Sequence, residues 1–249
     1  MKKLEEVHSP HNHVEVWRNN AGRIDFEVSG ATHATWHPTR LLTGHAWDAI
    51  TAAAVSHPGP VDSILLLGLG GGTCLRQLRH VLPHTRMTAL EIDSEMIRLA
   101  RTYMELDKLN VRVIEEDAFS FIESSDETAD VVIDDLYHAR GEDVERPRAI
   151  TPSLIGSLCR HLNPEGSLVM NFVVGQGHQA VFRQACASFQ TEFPQQRRIL
   201  PPHSHNEVLV GTAHRAPLAA PRTLSQWADT FPLEADQELW KELRTLKLR

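Results

Sequence analysis

Gly68-Leu69-Gly70-Gly71-Gly72, Glu91, Asp117 and Asp134-Asp135 are the residues of this chain whose types and spacing could do chemistry. Each follows a short, mainly apolar stretch: Ile64 to Leu67, Met87 to Leu90, Val111 to Ile114, and Val131 to Ile133. Glycines let a backbone turn tightly and let a ligand approach without meeting a Cβ. A carboxylate at Glu91 can accept both hydroxyls of a ribose, and one at Asp117 can accept from an adenine amino group. A carboxylate at Asp135 can accept the proton that an attacking nucleophile must lose. The glycine spacing fits G-x-G-x-G. Thr73 stands where the dinucleotide pattern G-x-G-x-x-G needs its last glycine, which demotes NAD or FAD binding to a minor hypothesis. Acids at such places also cap the helices that follow, and Asp93 and Asp117 could each do so.

The elements that must position these residues alternate. Ile64 to Leu67 reads as a buried strand, and Leu75, Leu78 and Leu82 recur at helical spacing until Pro83 ends the pattern. Met87 to Ile92 is a second strand, followed by a helix carrying Met96, Leu99, Ala100, Tyr103 and Met104. Third and fourth strands end at Asp117 and Asp135, with a short helix at Ala118 to Ile122 between them. A fifth strand covers Ser167 to Val174, and 176–193 reads as a helix. Arg197 to Leu200 and Glu207 to Thr212 are joined too closely for a helical crossover, so they should pair antiparallel.

Ahead of this pattern, Val14 to Trp17 and Ile24 to Val28 flank Asn19-Asn20-Ala21-Gly22, a hairpin signature. Arg40 to Val55 reads as helix, and the tail as an amphipathic helix around Leu239, Trp240, Leu243 and Leu246. The pattern predicts an α/β fold: a Rossmann-like, doubly wound, mostly parallel sheet of about seven strands with an antiparallel last strand, preceded by a small N-terminal β-hairpin. Three regions follow: 1–60, hairpin and helix; 61–214, cofactor-binding domain; 215–249, a tail with a helix. Ligands of such sheets bind beyond the carboxyl ends of the strands, where the glycines and acids lie.

Composition narrows the function classes. The chain has 249 residues, 41% hydrophobic and 23% charged, with a net charge of −7. That balance suits one substantial globular domain and opposes nonspecific binding of nucleic acid, which needs basic surface. The N-terminus lacks a signal-peptide core and no apolar run reaches membrane-spanning length, so a cytoplasmic protein with no membrane partner is expected. Cys74, Cys159 and Cys186 have neither metal spacing nor an even count, and Cys74 reads as a small buried residue. His8, His11 and His13 could meet at a metal, but a mobile terminus is the simpler reading and no metal is assigned.

Taken together, Leu65-Leu66-Leu67-Gly68-Leu69-Gly70-Gly71-Gly72, Leu90-Glu91-Ile92-Asp93, Glu116-Asp117-Ala118 and Asp130 to Asp135 resemble the S-adenosylmethionine-dependent methyltransferase superfamily. Within it, the N-terminal hairpin and Leu75-Arg76-Gln77-Leu78 are similar to the spermidine synthase (polyamine aminopropyltransferase) family. The resemblance covers roughly residues 14–213. It implies that Gly68, Gly70, Gly71 and Gly72 border the amino-acid tail of S-adenosylmethionine or its decarboxylated form. It also implies that Glu91 binds ribose, that Asp117 and Ala118 meet adenine, and that Asp135 accepts the acceptor's proton. Tyr137 and His138 follow as acceptor contacts. Trp36, His45 and Trp47 fall where relatives build the acceptor wall, although core packing suits Trp47 better.

Two departures bear on the reaction. Aligning Arg76 on the family's arginine puts Gly71 where those enzymes carry the aspartate that anchors the donor's ammonium, leaving room there for a carboxylate. Asp135-Leu136-Tyr137-His138-Ala139 lacks the family's second acid. The expected function is therefore a transferase moving a methyl group to a small acceptor, with cationic amines among the candidates. Aminopropyl transfer, reaction of the aminocarboxypropyl arm, and a non-catalytic nucleotide-binding module are the alternatives. The hairpin and tail helix could support a homodimer.

Overall fold

The computed structural model describes residues 1–140, 143–175 and 177–248. The first four strands, β1 (Lys2–His8), β2 (His13–Arg18), β3 (Ile24–Val28) and β4 (Ala31–Trp36), form one antiparallel sheet in that order. Period-2 alternation explains its two faces: Val14, Val16, Phe26, Val28 and Ala34 are buried, while Glu15 and Glu27 stay partly exposed. The expected hairpin is β2–β3, with Asn19 Oδ1 accepting from the backbone N–H groups of Ala21 and Arg23, both at 2.9 Å. It is extended by a strand on each side. The mobile terminus expected at 1–13 is thereby corrected: those residues form β1 and the turn into β2.

The helix α1 (Ala46–Val55) is buried on nearly all sides. It starts later than the expected Arg40, because Asp48 holds the preceding segment out of the helix. Its carboxylate accepts from Thr43 N at 3.1 Å and Gly44 N at 2.6 Å. The alternating region follows as β5 (Ser63–Leu67), α2 (Thr73–Val81), β6 (Arg86–Glu91), α3 (Ser94–Tyr103), β7 (Arg112–Glu115), α4 (Ala118–Ser124) and β8 (Ala129–Asp134). A small ribbon, β9 (His138–Arg140) and β10 (Asp143–Glu145), precedes α5 (Pro152–Cys159) and β11 (Leu162–Val173). The chain ends with α6 (Gln179–Glu192), β12 (Gln195–Leu200), β13 (Asn206–Thr212), α7 (Pro221–Ser225), α8 (Glu234–Glu242) and β14 (Arg244–Lys247). The start of the helix expected from position 176 lies outside the described residues.

One eight-stranded sheet dominates, in the order β14-β12-β13-β11-β8-β5-β6-β7. β11, β8, β5, β6 and β7 run parallel, and β13, β12 and β14 add antiparallel pairings. Alternate residues of β5 feed two cores: Ile64 and Leu66 pack with α1 and α2, while Leu65 and Leu67 pack with α4, α5 and α6. The tail supplies the strand beyond the expected seven. Leu246, expected on a helix, pairs with Arg198 in β14. Strand order reverses between β5 and β8, which places a crevice at their carboxyl ends. Met96, Leu99 and Met104 pack under the N-terminal sheet, so that sheet stands over the same end. Among the described residues, no helix is long and apolar enough to cross a membrane.

Candidate functional site

The glycine loop is built for a tight return from β5. Gly68, Gly70 and Gly72 have φ of +91°, +51° and +81°, a region where a Cβ is strained. The N–H groups of Gly68 and Leu69 donate to Leu90 O at 3.1 and 2.9 Å, which folds the loop against β6. A Cβ on Gly68 would stand 2.8 Å from Asp135 O, so the loop and the end of β8 touch backbone to backbone. Gly68, Leu69 and Gly70 line a cavity of about 760 Å³.

Gly72 caps α2 and is not part of this wall. Gly71 also faces away from the cavity. A Cβ there would lie 2.2 Å from Ala34 Cβ and 3.2 Å from Phe26. The expectation that Gly71 leaves room for a donor carboxylate is therefore corrected: β4 occupies that room.

Glu91, Asp117, Ala118 and Asp135 all line the cavity. Glu91 accepts from Gly70 N at 2.9 Å and Asp93 N at 3.1 Å. Burial outweighs these bonds and pushes its carboxyl up to about 6. Asp117 caps α4, its Oδ1 accepting from Ser120 N at 2.8 Å, and also borders the cavity. One side chain thus both caps α4 and stands on the cavity wall. Ile92, Phe119 and Met96 give this half apolar walls. Asp93 caps α3 through Oδ1 and holds Ser9 Oγ and Asn12 Nδ2 through Oδ2, at 2.6 and 2.7 Å. It thereby seats the β1–β2 turn, whose Pro10, His11 and Asn12 complete the wall.

On the other half, Asp135 accepts from Asn171 Nδ2 at 2.8 Å, and Asn171 Oδ1 accepts from Asn206 Nδ2 at 3.0 Å. Burial and the neighbouring Asp134 push the Asp135 carboxyl up to about 7, against the pull of Asn171 and Arg146. Asp134 points away, as strand alternation requires, and pairs with the buried guanidinium of Arg146. The Arg146 Nη1 donates to Asn171 O at 3.0 Å and the guanidinium lies over Tyr137 and Phe172. Arg148 does sit at the cavity edge, over Phe119 at 4.1 Å. The side chain of Arg140 lies outside the described residues.

Tyr137 and His138 border the cavity, each with a polar atom engaged elsewhere. The Tyr137 hydroxyl donates to Asn171 O at 3.1 Å and accepts from Val173 N at 2.9 Å, and burial pushes it up to about 12. His138 Nε2 lies 3.0 Å from Glu145 Oε1 across the β9–β10 ribbon. His45 and Trp47 line the cavity; Trp36 does not, lying under Arg76 instead. Burial pushes the thiols of Cys159 and Cys186 to about 12 and 11 and raises Cys74 as well, so none is a ready nucleophile.

Sequence reasoning missed Asn171, Asn206 and His33. Asn171 had a signal: one amide inside the apolar run Leu168 to Val173 must find a polar partner when buried. His33 had none, because β4 reaches the cavity only through tertiary packing. Burial lowers its imidazole to about 4.

Residues 64–166 match the model of a Methyltransferase domain. The chain is 31% identical over 140 residues to a "Probable polyamine aminopropyl transferase" of Bifidobacterium longum (strain NCC 2705), covering 55% of this chain and 30% of that protein. It therefore spans under a third of that relative's length. It is 28% identical over 190 residues to a "Polyamine aminopropyltransferase" of Neisseria meningitidis serogroup A / serotype 4A (strain DSM 15465 / Z2491), covering 73% of this chain and 67% of the other. The crystal structure of a probable spermidine synthase from Corynebacterium glutamicum ATCC 13032 superposes with a TM-score of 0.74 at 19% identity. That superposition covers 99% of this chain and 90% of that one, a likeness of fold.

Proposed function

We propose that this chain, a spermidine synthase-like protein of the S-adenosylmethionine-dependent methyltransferase fold, is a transferase that uses S-adenosylmethionine to methylate a small nucleophile. One observation carries the reading: Gly68, Gly70, Glu91, Asp117 and Asp135, from four successive strand ends, line a single cavity of about 760 Å³. Glu91 would hold the ribose, Asp117 and Ala118 the adenine, and the Gly68–Gly70 backbone the donor's tail. The bound donor supplies an electrophilic carbon beside a sulfonium. Asp135 orients the acceptor and takes its proton, and the Asn206–Asn171 pair holds that carboxyl in place.

Methyl transfer no longer rests on Gly71. It rests on the acceptor half of the cavity, where the side chains of Thr32, His33, His45, Asn171 and Asn206 supply no carboxylate. Among the described residues the acids lining the cavity are Glu91, Glu116, Asp117 and Asp135; with the first three assigned to the donor side, Asp135 is left for the acceptor, and a diamine finds no second anchor for its distal ammonium. Aminopropyl transfer from decarboxylated S-adenosylmethionine is the second reading, favoured by the polyamine aminopropyltransferases among the relatives.

The test is to incubate the protein with either donor and a panel of amines, amino acids and polyamines, then identify the sulfur product by mass spectrometry. S-adenosylhomocysteine from the intact donor is expected. Methylthioadenosine from the decarboxylated donor alone would replace methyl by aminopropyl transfer, and methylthioadenosine from the intact donor would indicate its aminocarboxypropyl arm. Failure of both donors to bind, by calorimetry, would reject the donor assignment.

A further inference from the structure

We infer that Glu6, His8 and His13 form a binding site for a divalent transition-metal ion, of the zinc, nickel or copper class, on the solvent face of the N-terminal sheet. Strand geometry brings the three together. His8 and His13 are direct partners across the β1–β2 pair, the closest approach that two strands offer to side chains. Glu6 lies two residues before His8 and therefore shares its face. One ligand atom from each of the three lies within 4.8 Å of the others.

The local arrangement prepares the donors. The imidazoles stack with centroids 4.0 Å apart and planes 14° from parallel, so the rings present their edges side by side. His13 Nε2 stands 2.9 Å from Glu6 Oε1. Lys3 Nζ holds the other oxygen of that carboxylate at 2.7 Å, which leaves Oε1 on the histidine side. The two histidines flank a four-residue turn closed by Ser9 N donating to Asn12 O at 2.8 Å. Ser9 Oγ also accepts from Asn12 N, at 2.9 Å, and the turn is anchored on Asp93. A ligand pair across a fixed turn loses little conformational freedom on binding.

The donor set selects the ion. Two imidazoles and one carboxylate are nitrogen-rich, which suits zinc, nickel and copper, with water filling the remaining positions. Magnesium and calcium favour all-oxygen shells and would gain little here. Glu6 and His8 are exposed and His13 is half-buried, so an ion can reach all three. None of the three residues lines the cavity, and the site does not depend on the proposed transfer reaction.

The experiment is calorimetric titration of Zn²⁺ into metal-free protein carrying no histidine tag. One-site binding is expected. His8→Ala and His13→Ala should each weaken it by at least the about 10–100-fold that loss of a mere supporting residue costs a metal site. Glu6→Gln should weaken it too, while His84→Ala, at an exposed histidine elsewhere, should leave it unchanged. Far-UV circular dichroism checks that each variant is folded, and His8→Gln serves if His8→Ala is not. Absence of one-site binding, an unchanged affinity in the His8→Ala/His13→Ala double variant, or equal affinity for Mg²⁺ would overturn the assignment.

Discussion

A carboxyl that must take a proton is most useful when it titrates near the working pH, and burial places Asp135 there, at about 7. If Asp135 is the base, kcat/KM should climb as pH rises toward about 7 and level off above it. Asp135→Asn should abolish turnover while leaving donor affinity nearly intact, and unchanged turnover would reject the role. Because the Asn171 hydrogen bond lowers the Asp135 pKa, Asn171→Ala should move the inflection to higher pH. A pH–rate profile of each variant measures this. Glu91→Gln belongs to the donor half. Loss of a charged hydrogen-bond acceptor is worth about 1.5–3 kcal/mol, so donor affinity should fall by tenfold or more, read by calorimetry. Glu91 and Asp135 were legible from strand-end position and residue type. What Tyr137 does with its hydroxyl was not, because its partners sit on β11, more than thirty residues away.

At the scale of elements, the glycine loop serves two neighbours at once. Gly68 lets the end of β8 approach, and Gly71 lets β4 approach. Gly71→Ala should destabilise the protein by about 1–3 kcal/mol through overpacking. Ala34→Gly should offset part of that loss, giving a coupling that denaturant unfolding of the four-protein cycle would detect. Additive effects would show that the loop and β4 do not meet as described. Gly71→Asp should likewise destabilise without improving use of a decarboxylated donor. The tail shows where periodicity misleads: Leu239, Trp240, Leu243 and Leu246 suit one helical face, yet the helix stops at Glu242. Arg244–Lys247 is a short, charged edge strand, the form such edges take, and too short for alternation to mark it.

Across the whole molecule, opposing groups shape the dependence of stability on pH. Asp48, Glu91 and Asp135 have carboxyls raised to about 6, 6 and 7. Their contribution is full below the unfolded carboxylate range and is lost as pH rises through the folded values. His33, His37, His45 and His57 are lowered, so their contribution runs the other way, growing with pH up to the unfolded imidazole value of about 6.5. Above that value the histidine contribution is complete while Asp135 is still ionising. Thermal stability of the ligand-free protein should therefore fall between about pH 6.5 and pH 8, and Asp135→Asn should remove most of the fall. Parallel profiles for the two proteins would contradict the raised carboxyl.

The sequence by itself determined the alternating α/β order, the glycine turn after β5 and the acids at successive strand ends. Each depends on residue type and short-range period, which local sterics and burial translate directly into strand, turn and helix. Tertiary structure alone decided that β4 fills the space beside Gly71 and that Arg146 is buried against Asp134. It likewise decided that the β1–β2 turn walls the cavity and that Asn171 and Asn206 hold Asp135. Those are contacts between segments far apart in the chain, and their identity is set by how the N-terminal sheet and β11 pack over the strand ends.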